Sequence, residues 1–417
     1  MGSGLKRSQY RHPGNWCLVL LLLRVRASAT IRAVPRIYFD HNATTPLVAV
    51  ALERFTAVAA STWGNASSVH HFGQQAKAVL DDARAAVAGL IGAEPSEVVF
   101  TAGGTESDNA AIRGAAEALE ATGRRHLVAS SIEHEAVLQT VKALAKRGWE
   151  VTLLPVGQRG VVEPDALAAA LTDRTAVVSV MHANNEIGTV QPIAALAALA
   201  RSRGALFHTD AVQTAGKLPV DVRALGVDLL SLSAHKFGGP KGTGALWVRR
   251  GVRLATFVTG GRQERNRRAG TENVPAIGGM GAAAHHARHA AAEAAPRIAA
   301  LRDRLEQGVL AGVPDTAVNG DPAARVPNTT NLSFDRVESE SLLIALDLEG
   351  IAVSSGSACS SGTLEPSHVL KAMGYPHPRT LNSIRFSLGV STTEAEVDHV
   401  VAVLPRLVAK LRSLAGR

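Results

Sequence analysis

Lys236 is the residue of this sequence whose setting best suits covalent chemistry. It lies in SLSAHKFGGPKGTGAL (231–246), after a strand-like apolar run and before a pair of glycines. Burial at a strand end lowers the pKa of a lysine amine, and the resulting free amine is a nucleophile that can form a Schiff base. Ser233, His235 and the glycines leave room beside it for a bulky phosphorylated ring. The alternative is a surface lysine in a turn, so the rest of the chain has to decide.

A site for pyridoxal 5′-phosphate requires partners for the ring and for the substrate, and the sequence offers them at predicted strand ends. Asp210 in FHTDAVQ can keep the ring nitrogen protonated, and Gln213 can hydrogen-bond the ring oxygen. His134 in SSIEHEAV can stack on the ring, and Arg385 in SIRFSLG can bind a substrate carboxylate bidentately. Each residue has an ordinary structural explanation on its own, but the combination favours a cofactor site.

The phosphate of such a cofactor requires a cradle, which the stretch FTAGGTESDN (100–109) can supply. A strand-like run over 98–101 leads into Gly103, Gly104 and Thr105, and then into a predicted helix whose N-terminal amides face the anion. Nucleotide-binding alternatives are weak, because no G-x-G-x-x-G follows the first strand and no G-x-x-x-x-G-K-[ST] occurs.

A single cysteine, Cys359, lies in the polar stretch SSGSACSSG (354–362), and Cys17 is the only other cysteine of the chain. Taken alone, the stretch favours an accidental surface cysteine. The alternative is a reactive thiolate on a loop whose serines and glycines would let it move. The rest of the chain has to decide between the two.

From residue 75 onward, predicted helices alternate with short apolar strands. Helices rich in alanine and leucine are predicted over 75–90, 110–122 and 136–147. Strands are predicted over 98–101, 126–130, 150–156, 175–181, 204–210 and 227–233. This alternation predicts an α/β fold with a mostly parallel central sheet covered on both faces, whose ligands lie beyond the carboxyl ends of the strands.

A long alanine-rich helix over 277–312, interrupted near Pro296, is predicted to lead into a smaller α+β region. That region is predicted to have strands over 328–334 and 383–389, and helices over 338–348, 367–373 and 394–414. Thr393 and Glu396 form a capping-box pattern at the last helix, which Pro405 should kink. We expect a large cofactor-binding domain over 51–290, a small domain formed by 37–50 and 291–417 that carries Cys359, and an extension over 1–36 outside the fold.

The positive charge of the 417-residue chain is concentrated at its N-terminus. The formal net charge is +8, and residues 1–36 contain seven basic residues and no acidic ones, which leaves +1 for the remainder. A near-neutral body argues against a nucleic-acid partner. Two cysteines far apart argue for a reducing compartment, so we expect a cytoplasmic protein.

The N-terminal segment admits three interpretations, which the sequence leaves undecided. Its basic residues, the apolar run WCLVLLLL (16–23) and the Ala27-Ser28-Ala29 pattern resemble a signal peptide. The arginines and the lack of acidic residues also fit a transit peptide. A third interpretation, which we favour, is that translation begins nearer Val34. The apolar run is too short to span a membrane, so no membrane partner is expected.

The motifs together make the chain resemble the NifS/IscS-type cysteine desulfurases, which are pyridoxal-phosphate enzymes of fold-type I in the aminotransferase superfamily. The resemblance extends from about Ile37 to the C-terminus. It includes YFDHNATTP (38–46), GNASSVHHFG (64–73), GGTESDN, IEHEAV, MHANNEIGTVQP (181–192), HTDAVQ, SAHKFGGPKG, RRAGTEN (267–273), SSGSAC and LEPSHVLKAMG (364–374). The combination is very specific.

The resemblance implies a role for each site residue. Lys236 forms the Schiff base, His134 stacks on the cofactor ring, and Asp210 and Gln213 contact its polar atoms. The residues implied to bind the phosphate are Gly104, Thr105, Ser233, His235 and, across a homodimer interface, Thr271 of the partner subunit. Asn185 and Arg385 contact the substrate, and Cys359 is the catalytic thiol. The protein is expected to hold no metal of its own, and Cys359 is the residue considered for a transient iron–sulfur cluster.

The implied reaction converts L-cysteine to L-alanine. The Cys359 thiolate attacks the substrate sulfur and carries it as a persulfide to an acceptor protein for iron–sulfur cluster assembly, either a nitrogenase-type or a general scaffold. The alternatives are a selenocysteine lyase or another enzyme of the same fold, and a non-catalytic scaffold. The loop thiol favours sulfur transfer over a selenocysteine lyase or another enzyme of the same fold. Intact Lys236 and Cys359 count against a non-catalytic scaffold.

Three histidines, His285, His286 and His289, lie on the predicted long helix. His285 and His289 are one helical turn apart, as a pair of metal ligands would be. A solvated helix face is the stronger interpretation, because no third ligand is near.

Overall fold

Twelve strands and thirteen α-helices form within residues 36–355 and 366–415, the part of the chain that this computed structural model describes. The strands are β1 Ile37–Tyr38, β2 Val98–Thr101, β3 His126–Ser130, β4 Glu150–Leu154, β5 Thr175–Ser179, β6 Leu206–Asp210, β7 Leu229–Ser233, β8 Gly244–Val248, β9 Thr316–Asn319, β10 Thr329–Phe334, β11 Ile351–Ala352 and β12 Ser383–Ser387. The helices are α1 Ala49–Ser61, α2 His71–Leu90, α3 Gly104–Glu120, α4 Glu135–Ala145, α5 Pro164–Ala170, α6 Ile193–Ser202, α7 Val222–Leu225, α8 Gln263–Asn266, α9 Val274–Gly312, α10 Ser339–Leu348, α11 His368–Ala372, α12 His377–Leu381 and α13 Glu394–Ala415.

The central sheet contains seven strands in the order β2-β8-β7-β6-β5-β3-β4. The run from β4 to β7 pairs in parallel, and β8 is antiparallel to both of its neighbours. Strands β3, β5 and β7 are buried along their whole length, which is why they appear in the sequence as continuous apolar or small-residue runs. The predicted α/β fold with a mostly parallel sheet is confirmed. Strand β8 was not predicted.

Parallel strands place their carboxyl ends at one edge of the sheet. Strands β3, β5, β6 and β7 therefore deliver the segments that follow them to the same edge. These segments are 131–134, 180–185, 211–213 and 234–236. Strand β2 has the same direction, because it is antiparallel to β8, and it adds the start of α3. The polar clusters singled out in the sequence are thus neighbours in the fold.

Helix α9 runs without interruption from Val274 to Gly312, so the predicted break near Pro296 is wrong. One face of the helix between Val274 and Ala287 packs into the core that also contains residues of the central sheet, and the apolar residues between Ile298 and Val309 are buried in a second core with α13. Packing on both sides of the proline offsets the cost of a proline inside a helix, which is about 3 kcal/mol. Gly281 lets α9 approach α2 closely, because a Cβ at this position would lie 2.6 Å from the Cα of Ala83.

The C-terminal region is built on a three-stranded antiparallel sheet in the order β12-β10-β9. Strand β1 pairs in parallel with β11, and Asp40 forms a bridge with Ser387, so the segment after β1 lies beside the end of β12. At α13, the backbone N–H of Thr393 donates to Glu396 Oε2 at 2.8 Å, and the N–H of Glu396 donates to Thr393 Oγ1 at 3.3 Å. The predicted capping box is therefore present.

None of the helices in residues 36–355 and 366–415 combines the length and the apolar character needed to cross a membrane. The predicted extension over 1–36 lies, apart from Arg36, outside the described residues. The division into a large and a small domain stays a prediction.

Candidate active site

A cavity of about 370 Å³ opens at the carboxyl ends of the central strands. Cavities of roughly 300–1,000 Å³ are typical of small-molecule sites. The residues that line it are Asn42, Ala43, Gly104, Thr105, Asp108, His134, Met181, Asn185, Asp210, Val212, Gln213, Ser233, His235, Lys236, Ser354 and Arg385. Of the twelve residues singled out in the sequence, ten are among them, Thr271 is not, and Cys359 lies outside the described residues.

Lys236 lies three residues beyond β7, at the end of a single 3₁₀ turn that begins at Ala234. Its Nζ donates to the backbone carbonyl oxygens of Asn42 at 2.5 Å and Ala43 at 2.8 Å. Burial lowers the pKa of this amine from 10.5 to about 8, and the nearby charge of Arg385 lowers it as well, while two carboxylates oppose the shift. A sizeable share of Lys236 is therefore free amine near neutral pH, so the residue can act as a nucleophile and as a base.

Asp210 is the last residue of β6, and its carboxyl group is buried. Its Oδ1 accepts a hydrogen bond from the backbone N–H of Val212 at 2.8 Å. Burial raises the pKa of Asp210, whereas the nearby His134 and Lys236 lower it. A cationic ring nitrogen beside Asp210 would favour the ionised carboxylate further, so the residue suits the role of a pyridinium partner.

His134 is fixed at the cavity wall by the start of α4. It is the N-cap residue of this helix, and its Nδ1 accepts a hydrogen bond from the backbone N–H of Ala136 at 3.1 Å. Because Nδ1 is an acceptor, the proton of the neutral ring is on Nε2. The side chain is otherwise exposed and lines the cavity, where a flat ring can stack on it.

The start of α3 forms the end of the cavity that suits a phosphate group. Helix α3 begins at Gly104, so the first backbone N–H groups of the helix have no partner within it and can bind an anion. The backbone is tightly packed at this point, because a Cβ on Gly104 would lie 2.9 Å from Val212 Cγ2. Thr105 and Ser233 line the same end, where the cavity continues into a wider opening.

His235 lies between Ser233 and Lys236 at this phosphate end. Its Nδ1 is 3.1 Å from Thr44 Oγ1. Burial lowers the pKa of the imidazole to about 4, and the neighbouring charges of Lys236 and Lys241 act in the same direction. His235 is therefore neutral near pH 7, and it would contact a phosphate as a hydrogen-bond partner rather than as a charge.

Arg385 projects from β12, and its guanidinium is buried. Its Nη2 donates to Asp40 Oδ1 at 2.6 Å, and its Nη1 donates to the carbonyl oxygen of Asn185 at 3.0 Å. Its buried Nε has no hydrogen-bond partner among the described residues. A substrate carboxylate can satisfy this unpaired donor, which suits the predicted role of Arg385.

Sequence reasoning missed two residues beside Arg385, namely Asp40 and Asn42. Asp40 pairs with Arg385, and the Nδ2 of Asn42 donates to the carbonyl oxygen of Asn185 at 3.1 Å and to Thr329 Oγ1 at 2.8 Å. The signal that could have found them is the polar triplet that directly follows the first strand.

Asp108 on α3 was also missed, although it lies one helical turn after Thr105. Its carboxyl group is buried, and its Oδ1 has no hydrogen-bond partner among the described residues. Burial raises the pKa of Asp108 well above its usual value, and the charge of Asp210 acts in the same direction. Asp108 and Asp210 are therefore a buried pair of carboxyl groups in which ionisation is disfavoured more strongly at Asp108.

The donor set of the cavity fits pyridoxal 5′-phosphate. Lys236 supplies an amine for the aldehyde, Asp210 a carboxylate for the ring nitrogen and His134 a face for the ring. The start of α3 supplies unpaired amides for the phosphate. The buried, unpartnered Nε of Arg385 remains for a substrate carboxylate. No group in this set requires a different kind of ligand.

One predicted site residue of the described part of the chain is not brought to this cavity. Thr271 is exposed on the segment that follows α8 and does not line the cavity of its own chain. Cys359 lies outside the described residues, and so does Cys17.

A larger cavity of about 420 Å³ also borders Lys236, together with Lys217. It is lined mostly by apolar side chains and contains no carboxylate, so its chemistry does not match a cofactor ring with a basic nitrogen. Elsewhere in the described residues, no three His, Cys, Asp or Glu side chains form a group that could hold a metal ion. His285 and His289 lie on an exposed face of α9 with their ring centres 4.8 Å apart.

Comparison with protein families matches residues 37–400 to the aminotransferase class-V family. Among curated proteins, the chain is 49% identical to a cysteine desulfurase from Nostoc sp. over 379 residues, which cover 91% of this chain and 94% of the relative. It is 48% identical to the cysteine desulfurase IscS of Dictyoglomus turgidum over the same length, covering 91% of this chain and 96% of the relative.

Among solved structures, a NifS-like protein matches with a TM-score of 0.84 at 37% sequence identity. The match covers 90% of this chain and 99% of that structure. Both the sequence and the fold are thus similar to those of these proteins over nearly their full length.

Proposed function

We propose roles for the individual residues on the premise that this chain belongs to the NifS/IscS-type cysteine desulfurases, which are pyridoxal-phosphate enzymes of the aminotransferase class-V family. The enzyme takes sulfur from L-cysteine and passes it to an acceptor. The observation that carries the proposed roles is the amine of Lys236, whose pKa is lowered to about 8, in one cavity with Asp210, His134 and Arg385.

Substrate binding is assigned to the end of the cavity beside β12. Arg385 is held by Asp40 and by the carbonyl oxygen of Asn185, which leaves its Nε for the carboxylate of L-cysteine. Asn185 lines the same wall and contacts the substrate with its side chain. The second hydrogen of Arg385 Nη2 lies on the same side of the guanidinium as the Nε hydrogen, so the two can bind the carboxylate bidentately and orient the substrate.

Proton transfer at the substrate Cα is assigned to Lys236. Pyridoxal 5′-phosphate supplies, when bound, a conjugated ring that accepts electrons from the substrate Cα. The free amine of Lys236 takes the Cα proton, because a base whose pKa lies near the working pH is in the reactive state. Asp210 would keep the ring nitrogen protonated, and the imidazole of His134 would stack on the ring.

Sulfur transfer is assigned to Cys359. The thiolate attacks the substrate sulfur, the carbon–sulfur bond of the substrate breaks, and a sulfur–sulfur bond forms on Cys359. The carbon skeleton keeps the electron pair and is protonated to L-alanine, so one L-cysteine and one thiol give one L-alanine and one persulfide. The persulfide sulfur then passes to a scaffold protein for iron–sulfur cluster assembly.

The wider setting is proposed to be a homodimer in the cytoplasm. The phosphate end of the cavity is open beside Gly103, Lys241 and Phe257, where Thr271 of the partner subunit can complete it. The two cysteines, which lie far apart in the sequence, support a reducing compartment. Size-exclusion chromatography with light scattering tests the dimer, and fractionation of the native cells tests the location.

The activity itself is tested with the purified holoenzyme, L-cysteine and a thiol reductant. We expect L-alanine and sulfide to form in equal amounts over many turnovers. Formation of 3-mercaptopyruvate without sulfide, in the presence of a 2-oxo acid as amino-group acceptor, would instead identify an aminotransferase. A turnover of L-selenocysteine that persists after the loss of Cys359 would favour a selenocysteine lyase.

The lowered pKa of Lys236 predicts how cofactor uptake by the apoenzyme depends on pH. Only the free amine reacts with the aldehyde, so the rate of uptake should rise about tenfold per pH unit below the pKa and become constant above it. With the pKa at about 8, the rate should become constant from about pH 8 upward. Stopped-flow absorbance of the lysine-bound cofactor measures this rate. A rate that still rises between pH 9 and pH 10 would show an unshifted lysine.

Replacement of Arg385 by lysine should raise the KM for L-cysteine by roughly 10- to 100-fold, because a lysine cannot make the bidentate contact. The value of kcat should fall less, since Lys236 is unchanged. Steady-state kinetics measure both constants, and Arg406→Lys, at an exposed ion pair with Glu349, is the matched control. A loss of kcat with an unchanged KM would show that Arg385 does not bind the substrate carboxylate.

A further inference from the structure

Gln213, the proposed partner of the ring oxygen, is held by a second lysine that the reaction scheme does not use. Lys217 lies four residues after Gln213. Its Nζ donates to Gln213 Oε1 at 2.7 Å and to Asn42 Oδ1 at 2.9 Å. Both acceptors are amide oxygens rather than carboxylates. Lys217 therefore forms no salt bridge with Gln213 or Asn42, and its amine must serve another purpose at this position.

The electrostatic surroundings of Lys217 are unfavourable to a charge. Burial lowers the pKa of Lys217 well below its usual value, and the charges of Lys236 and Arg385 lower it further. An amine retained under these conditions is costly, so its hydrogen bonds are its evident contribution. Even a neutral amine has two N–H groups, and the two amide oxygens accept both of them.

The hydrogen bond from Lys217 favours one of the two orientations of the Gln213 side-chain amide. A side-chain amide has an oxygen that accepts and an NH₂ group that donates, and the two ends are similar in shape. Because an amine pointing its N–H groups at an amide must meet the oxygen, Lys217 directs the Oε1 of Gln213 toward itself. The NH₂ group then faces the other way, and Nε2 donates to the carbonyl oxygen of Asn42 at 3.0 Å.

The NH₂ end of Gln213 and the reactive amine of Lys236 share one hydrogen-bond acceptor. The same carbonyl oxygen of Asn42 also accepts from Lys236 Nζ, and Gln213 lines the cofactor cavity. Gln213 Nε2 carries a second hydrogen that can donate to an anionic ring oxygen. With the amide reversed, Oε1 would face this oxygen, and two acceptors would repel each other.

We propose that Lys217 is a positioning residue that holds the side-chain amide of Gln213 with its NH₂ group toward the ring oxygen of the bound cofactor. This assignment rests on the proposed contact between Gln213 and that oxygen. It explains why the lysine lies four positions after Gln213, because this spacing brings the two side chains into contact. It also explains why Lys217 contacts amide oxygens alone among the described residues.

The test compares four holoenzymes, namely the wild type and the variants Lys217→Met, Gln213→Leu and the double variant. The first readout is the pH midpoint of the visible absorbance of the lysine-bound cofactor, and the second is the dissociation constant of pyridoxal 5′-phosphate. The negative charge of the ring oxygen helps to keep the Lys236 nitrogen protonated. A hydrogen-bond donor at that oxygen weakens this effect, because it partly neutralises the charge. Its loss should therefore raise the midpoint by about one pH unit and weaken cofactor binding roughly tenfold.

We expect Lys217→Met to raise the midpoint about as much as Gln213→Leu, and the double variant to show no further change. Lys217→Arg, which is also a donor only, should restore most of the wild-type midpoint. Lys142→Met, at an exposed position on α4, is the matched control and should leave both readouts unchanged. If Lys217→Met does not fold, Lys217→Gln replaces it, because its shorter side chain cannot reach both amide oxygens and should give the same shift.

Three results would overturn the proposal. A midpoint that shifts in Gln213→Leu and not in Lys217→Met would leave the proposed role of Gln213 intact and remove that of Lys217. Shifts that add in the double variant would show that Lys217 acts independently of Gln213. An unchanged midpoint and dissociation constant in both single variants would overturn the contact of Gln213 with the ring oxygen and, with it, the positioning role.

Discussion

Replacement of Lys236 by alanine is expected to abolish the turnover of L-cysteine, with a fall in kcat of roughly 10³-fold or more. Lys236 is proposed to hold the cofactor covalently and to move the Cα proton, and no second lysine of the described residues lines the 370 Å³ cavity. The purified variant should also lack the visible absorbance of a lysine-bound cofactor. Alanine release, measured by chromatography, and the absorbance spectrum check the two effects separately.

The control for this substitution is Lys142→Ala, which removes an exposed lysine from α4. It should retain the absorbance and the rate of the wild type. The account of Lys236 would be wrong if the Lys236→Ala variant kept both the visible absorbance and a near wild-type rate. Loss of the rate with retention of the absorbance would assign Lys236 to proton transfer and the covalent bond to another amine.

Replacement of Cys359 by serine is expected to stop repeated turnover while leaving folding and cofactor binding intact. Serine has nearly the same size and polarity, so the loop is preserved. Its hydroxyl does not ionise near neutral pH and cannot carry a persulfide. L-Cysteine should still change the visible spectrum, because Lys236 and Arg385 are unchanged, but alanine should not accumulate. Spectra and alanine release from the same sample measure both properties.

The matched control is Cys17→Ser, which removes the only other thiol of the chain. This variant should turn over L-cysteine at the wild-type rate. Alanine release by Cys359→Ser at a rate similar to that of the wild type would make Cys359 a bystander. The accidental surface cysteine would then be the correct interpretation of SSGSACSSG.

The sequence predicted those site residues that follow a strand directly. Asp210 and Ser233 end their strands, and Lys236 lies three residues beyond, so the rule that ligands bind at carboxyl ends located them. Element boundaries were less accurate. The apolar pattern of α3 is evident only from residue 110, because its first turn is polar, whereas the phosphate-cradle motif predicted a helix directly after Thr105; the helix begins at Gly104. Strand β8 was missed within a glycine-rich stretch.

Contacts between distant parts of the chain could not be predicted from local patterns. Asp40 and Arg385 form an ion pair across 345 residues, and Asn42 reaches Thr329 across 287 residues. Lys217 appears in the sequence as an ordinary polar residue after a helical turn, and its importance depends on the amide oxygens it contacts. The continuity of α9 through Pro296 likewise depends on two cores that pack against it on either side of the proline.

Mass spectrometry of the wild-type protein after incubation with L-cysteine, without reductant, tests the central claim most directly. One added sulfur atom should be found on the peptide that contains Cys359, and dithiothreitol should remove it. The yield of the modified peptide should match the L-alanine released in a single turnover. Added sulfur found only on Cys17, or alanine released with no sulfur on Cys359, would contradict the assignment of this chain as a desulfurase that acts through its loop thiol.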